Sequence, residues 1–225
     1  MGKSWIAPVI IGIVGAAILV SLGNWQVNRL AWKEGVLAKI DARMNDVPTD
    51  VPEVPQKAVH LYQPVQMSGQ SGGRELHVLV SHKRLGPGYR IISAFEMSGG
   101  RRVLLDHGFI AIEDKERVRM PVVGELFGNL HWPDDRTSST PENDAGGNIW
   151  FARDLPQMAA ALETEPVLVI LRSASEMDPA VTPLPLDSAA IPNDHLNYAI
   201  TWFSLAAIWL GMTGFWLWRI KRRTV

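Results

Sequence analysis

The sequence predicts a membrane α+β protein in which two transmembrane helices flank an exported antiparallel β-rich domain with one or two short helices. Three observations carry this prediction: two long uncharged apolar stretches, the confinement of every carboxylate to the segment between them, and the short β-type runs that fill that segment. All 23 Asp and Glu lie between residues 24 and 197 beside 17 of the 22 Lys and Arg, so this segment carries −6 while the whole chain carries −1. That balance offers no basic footprint for nucleic acid. The absence of Cys excludes disulfides, thiolate metal sites and Cys nucleophiles.

Residues 5–23 form the first stretch, 19 residues without a charge, against about 20 needed to cross a bilayer core. Trp5 and Trp25, 20 residues apart, suit the two interfacial aromatic belts. A cleaved leader is the competing reading, because Ser21-Leu22-Gly23 places small residues where a peptidase reads. The apolar run exceeds the usual leader core of about 7–15 residues and only Lys3 precedes it, which favours a retained span. Gly12 and Ala16 here, and Ala207 and Gly211 in the second stretch, are small-xxx-small pairs through which two helices can pack. Past the span, Trp25, Arg29, Trp32, Lys33, Leu37 and Ile40 keep helical spacing. Residues 24–46 are therefore expected to extend the helix, to about Met44, until Pro48, Pro52 and Pro55 end it.

Residues 47–191 are expected to form the exported β-rich domain. Runs at 58–68, 75–83, 89–97, 103–112 and 122–132 read as strands, and Gly72-Gly73, Gly86-Pro87-Gly88, Ser98-Gly99-Gly100 and Gly146-Gly147 read as turns. Their spacing implies an antiparallel sheet or a small barrel. A short strand at 149–152, a helix at 155–162 and a strand at 167–172 follow the polar loop 133–147, and a proline-rich stretch leads to the second span. That span is placed at 193–218, with residues 198–218 uncharged, and 219–225 form a basic tail bearing Arg219, Lys221, Arg222 and Arg223. Basic residues beside a span stay cytoplasmic, so both termini, Lys3 included, are expected inside and the acidic middle outside.

Motifs for catalysis are missing: there is no nucleophile elbow, phosphate-cradling loop, dinucleotide fingerprint or His-Glu-x-x-His, so no enzymatic activity is expected. The eight Met are scattered and no two His stand i, i+2 or i, i+4, which leaves no dedicated site for copper delivery. His60, His77, His82, His107 and His131 fall in the β-rich segment, where an isolated His is ordinarily a surface or hydrogen-bonded side chain. His195 differs. In Pro192-Asn193-Asp194-His195, Asn193 is placed to cap the second helix, which sets His195 in the first turn at the outer bilayer face. Tyr198 and Trp202 follow at i+3 and i+7. An imidazole above that aromatic stripe is a seat for an amphiphilic ring such as haem, and Arg29, one turn beyond Trp25, is placed to pair with its propionates. The plainer reading of the same spacing makes His195 and Tyr198 interfacial anchors and Arg29 the holder of a helix end.

Four blocks give the chain a family likeness: Leu22-Gly23-Asn24-Trp25-Gln26-Val27-Asn28-Arg29 with Trp32-Lys33; Gly86-Pro87-Gly88-Tyr89-Arg90 with Val103-Leu104-Leu105; Gly124-Glu125-Leu126 with Asn148-Ile149-Trp150; and the run from Pro192 to Phe203. In these it resembles the surfeit locus protein 1 family, bacterial type, membrane-bound assembly factors of haem–copper cytochrome c oxidases. The resemblance implies a protein of the bacterial inner (plasma) membrane with a periplasmic main domain, which binds haem a transiently and helps place it in oxidase subunit I. It implies His195 as the haem-iron ligand, with Tyr198, Thr201, Trp202, Trp25 and Arg29 around the macrocycle, and as partners subunit I, its assembly machinery and the lipid bilayer. A scaffold that stabilises a subunit I intermediate without touching haem, through Trp202, Trp209 and Trp216, is the alternative. One departure stands out: the family usually has Asn-Arg-Gly-Trp where this chain has Asp106-His107-Gly108-Phe109, which makes His107 a second candidate ligand.

Overall fold

The computed structural model describes residues 5–224; Lys3, assigned above to the inner side, lies outside them. Two compact units divide the chain. One comprises residues up to Lys39 together with those from Ser188 onward, the other Ile40–Asp187.

In the first unit the apolar stretches form α1, Ile6–Met44, and α4, His195–Thr224, both long and apolar enough to cross a membrane. Large apolar side chains stand exposed along both helices, Ile10, Val14 and Ile18 on α1 and Ile208, Met212 and Phe215 on α4 among them. A helix that is apolar all round and not covered by its own chain needs an apolar solvent. α1 passes from the apolar stretch into its polar extension without a break, and Pro48 follows its end.

In the second unit, β1 (Thr49–Asp50), α2 (Lys57–His60), β2 (Pro64–His82), β3 (Gly86–Met97), β4 (Arg102–Ala111), β5 (Val123–His131), α3 (Leu155–Leu162) and β6 (Leu168–Glu176) follow in order. The sheet runs β1-β2-β3-β4-β6-β5, and β5 pairs again with β2, so five strands close a barrel-like ring with β1 outside it. β2 makes this possible because it is 19 residues long: Pro64–Gln70 pair with β5 while Gly69–His82 pair with β3. The expected turn at Gly72-Gly73 is instead a bulge inside this single strand, between Gly72 and Glu75, and Gly73 adopts φ +77°, a left-handed conformation natural to glycine.

The sheet is mixed rather than antiparallel. β4 pairs parallel with β6, and β1 parallel with β2. A ring of five strands has an odd number of joints and cannot alternate direction at every one. The joint between β4 and β6 takes the mismatch, and between those two parallel strands the chain returns as β5, which pairs antiparallel with β6. α3 forms where expected: Asp154 accepts from the Gln157 amide at 3.2 Å, Pro lies in the first turn, and Leu155, Met158, Ala159 and Leu162 are buried at helical spacing. These four cover Leu76, Ile92, Leu104, Leu168 and Ile170 on the outer face of the sheet, while Val65, Met67, Phe95, Val103, Leu105, Leu126, Leu130, Val169 and Leu171 fill the ring. β4 is thus buried on both faces, which explains its unbroken Val103-Leu104-Leu105 run.

Two other expected strands differ. The run 58–68 opens as α2, because the chain turns at Tyr62 (φ +69°) and only from Pro64 do alternate residues, Val65 and Met67, point inward. The run 149–152 is reduced to isolated bridges, Trp150 with Val78 and Ile149 with Asp144. Trp150 is there as a buried lid over the sheet.

The departure at Asp106-His107-Gly108-Phe109 is a structural corner. Asp106, fully buried, takes Arg90 Nε at 2.7 Å and the Gly108 amide at 3.1 Å, with Arg153 Nη1 at 3.8 Å. Gly108 has φ +121° and lies so close to the Thr182 carbonyl that a Cβ would collide with it. His107 is also buried, its Nε2 2.7 Å from Ser93 Oγ. Among the described residues no three His, Asp or Glu gather into a metal-holding group, and the contact that His107 makes at its Nε2 is the Ser93 hydroxyl. Removing the carboxylate leaves the largely covered Arg90 guanidinium without its charge partner: Asp106→Ala is expected to cost about 3–5 kcal/mol and Asp106→Asn clearly less, read from denaturant unfolding of the full chain in detergent. Equal, small losses for both variants would contradict this account.

Candidate functional site

α1 and α4 meet along a seam of small residues. On α1, Pro8, Gly12, Ala16, Gly23 and Gln26 are buried, and on α4, Ala199 and Ala206. The spacing between 12, 16, 19, 23 and 26, and between 199 and 206, is that of a seven-residue repeat, which keeps one stripe of each helix facing the other. Three glycines act as holes. A Cβ on Gly12 would meet Thr213, one on Gly15 the Trp209 indole, and one on Gly23 the Phe203 ring. Trp209 Nε1 also donates to the Gly12 carbonyl at 3.1 Å. The expected partner pair, Ala207 and Gly211, faces away: both are exposed and nothing approaches Gly211. Bulky α4 side chains set into α1 glycines therefore replace small against small.

At one end of the seam stands His195. It is half-buried in the first turn of α4, and its Nδ1 lies 2.8 Å from Gln26 Oε1. Gln26 itself is only 8% exposed. No hydrogen bond engages His195 Nε2 among the described residues. The first backbone bond of α4 runs from the Tyr198 amide to the Asp194 carbonyl at 3.1 Å. The expected Asn193 cap is not made: its Oδ1 is buried without a partner.

The other expected site residues are placed as follows. Tyr198 is 56% exposed and Trp202 half-buried on the same helix, while Thr201 faces outward with its hydroxyl donated to the Asn197 carbonyl at 2.8 Å. Trp25 is 57% exposed, and Arg29 lays its guanidinium over the Trp32 ring at 3.9 Å. No hydrogen bond joins Trp25 or Arg29 to His195 among the described residues. The structure thus brings His195 together with Gln26, keeps Tyr198 and Trp202 available beside it, and commits Arg29 to an aromatic neighbour. Gln26 was missed because it looks like one polar residue among several after the span. Its signal is the seven-residue step from Leu19, which puts an amide on the apolar seam.

His195 can serve as a metal ligand in this setting, because a neutral imidazole with one nitrogen hydrogen-bonded presents a lone pair on the other. Haem iron fits such a donor, and the aromatic faces of Tyr198 and Trp202 suit a macrocycle. A concavity of about 550 Å³ on the helix pair lies elsewhere, at the far end of α4 between Pro8, Ile11, Met212, Phe215, Trp216 and Arg219.

The SURF1 family profile matches residues 13–207, which includes both Gln26 and His195. The chain belongs to the SURF1 family. It is 26% identical to Surfeit locus protein 1 of Rattus norvegicus over 90% of this chain and 72% of that protein, and 28% identical to the Xenopus tropicalis protein of the same name over 83% and 68%. A SURF1-like protein of Rickettsia felis is 29% identical over 86% of this chain and 89% of its own length. Of the blocks that carry the SURF1 likeness, several have structural work: Arg90 pairs with Asp106, Val103 to Leu105 build β4, and Asn148 donates to the Glu75 carbonyl at 2.9 Å. The blocks around Gln26 and His195 meet each other across the two helices.

The barrel of this SURF1 chain holds a polar pocket of about 270 Å³ lined by Glu75, Ser93, His107 and Arg119. Burial alone raises the Glu75 carboxyl, but hydrogen bonds from His77 and Arg119 and the Arg119 charge outweigh it and hold it at about 2. Burial pushes His107 down to about 4, and His131 likewise. The remaining barrel histidines are accounted for locally, His60 Nδ1 accepting from the Gln56 amide and His82 Nδ1 from the Leu85 amide. Because the unfolded histidines protonate near 6.5 and the folded ones near 4, the stability they confer is complete above about pH 6.5 and drains away toward pH 4. Glu75 adds a second loss between its unfolded 4.5 and about 2. The melting temperature of the full chain in detergent should be level above neutrality and fall from pH 6.5 to 4, with a shallower fall in His107→Gln; a level profile down to pH 4 would refute it.

Proposed function

We propose that this chain is an assembly factor for haem–copper cytochrome c oxidase, anchored in the bacterial inner membrane by α1 and α4, that holds haem a through His195 and assists its insertion into subunit I. The observation that carries the reading is the half-buried His195 ring, held at Nδ1 by Gln26 with no hydrogen bond on Nε2 among the described residues, on the helix that also bears Tyr198 and Trp202. When bound, haem would supply a Lewis-acidic iron that the imidazole nitrogen could hold. This chain supplies the donor and an apolar setting, and acts by binding and docking rather than by turnover. Membership of the SURF1 family supports the oxidase role. The exposed apolar sides of both helices support a two-span anchor, and Arg219 and Arg222 past the second apolar stretch support a cytoplasmic tail, hence a periplasmic barrel.

A second reading, a scaffold for subunit I that holds no haem, is favoured by the exposed aromatic surface of Trp209, Phe215 and Trp216 at the other end of α4. Cells carrying single variants separate the two. The haem reading expects His195→Ala to lower oxidase-bound haem a at least about 10-fold, as loss of a metal ligand exceeds the effect of losing its supporting partner, while Trp216→Ala stays near wild type. Normal haem a in His195→Ala together with loss in Trp216→Ala would replace it with the scaffold. Co-purification with subunit I from cells unable to make haem a would point the same way.

A further inference from the structure

We propose that Gln26 is a positioning residue that locks His195 in the Nδ1–H tautomer and thereby makes Nε2 the ring nitrogen offered to iron. The iron half of this statement rests on the haem reading above; the tautomer half stands on geometry. An amide oxygen carries no proton, so at 2.8 Å from Gln26 Oε1 the ring nitrogen Nδ1 must donate. A neutral imidazole has one N–H, and donating it at Nδ1 leaves the lone pair at Nε2. Histidine side chains free in water prefer the opposite form, with the proton on Nε2, which would cap the open nitrogen and exclude a metal.

Gln26 is held where this choice can be enforced. It is buried on the seam, one turn along α1 from Gly23, and the Phe203 ring occupies the space over Gly23. The amide and the imidazole therefore come from different helices, and their register is fixed by packing rather than by the hydrogen bond itself. The type of acceptor also matters. Hydrogen bonding to the remote ring nitrogen raises the basicity of a ligating imidazole, and an uncharged amide does so less than a carboxylate. Gln26 thus sets an intermediate grip, suited to a group that is to be handed on.

The test uses the full chain in lipid nanodiscs with ¹⁵N-labelled histidine. In the haem-free wild type, two-bond ¹H–¹⁵N correlation should show His195 as Nδ1–H. Gln26→Leu, an apolar change that suits the seam and whose fold is checked by circular dichroism, should shift it to Nε2–H. Gln26→Glu keeps an acceptor and should restore Nδ1–H. Loaded with haem, Gln26→Leu should release it about 10-fold faster than wild type, and Gln26→Glu should raise the iron–histidine stretching frequency and slow release. A wild-type His195 found as Nε2–H, or a Gln26→Leu variant with unchanged tautomer and release, would overturn the proposal. Haem bound through His195 by a wild type showing Nε2–H would remove the lock and leave the haem reading standing. An Nδ1–H signal in a wild type that takes up no haem would instead uphold the lock and remove the iron.

Discussion

A closed ring of five strands must contain a parallel joint, and the globular unit is organised around meeting that requirement. The joint falls between β4 and β6. The chain returns between these strands as β5, antiparallel to β6, and α3, in the connection from β5 to β6, covers the outer face of the joint with Leu155, Met158, Ala159 and Leu162. It also leaves β4 with no solvent face, so the one carboxylate there, Asp106, must be neutralised internally, which Arg90 and Arg153 do. The residues that depart from the family pattern, Asp106 to Phe109, thus take part in barrel closure.

The helix pair obeys a different constraint. Its helices are apolar all round, so hydrophobicity cannot choose the contacting faces in an apolar solvent; shape and a few polar contacts do. Gly12, Gly15 and Gly23 make holes on one stripe of α1, and Thr213, Trp209 and Phe203 fill them. That packing fixes rotation and register, and hydrogen bonds from Trp209 to Gly12 and from His195 to Gln26 run between the helices so placed. The second of these has its imidazole only half covered, which is why it can do more than hold the helices together.

Much of this was legible in the sequence because it rests on local signals. The uncharged runs marked α1 and α4, the spacing of Trp25 to Ile40 marked the extension to Met44, and the alanine-rich run at 155–162 marked α3. What was not legible depends on distant partners. Gly72-Gly73 reads as a turn unless β5 is known to pair with the first half of β2. The parallel joint follows only from ring closure. Asn193 looks like a cap, yet Asp194 supplies the first carbonyl of α4. Ala207 and Gly211 look like a packing pair until the rotation of α4 sets Ala199 and Ala206 on the seam instead. Gln26 was inside a quoted motif, but its role needed the partner 169 residues away.

The proposed function rests on one of these parts, the imidazole set at the end of a helix seam; the ring of the barrel is filled by apolar side chains. The most direct measurement is the optical and resonance Raman spectrum of the full chain purified from cells that make haem a, beside His195→Ala. The account predicts a near-stoichiometric haem with an iron–histidine vibration in the wild type, both lost in a variant that keeps the wild-type circular dichroism. A folded wild type without haem, or a variant with the same spectrum, would contradict it.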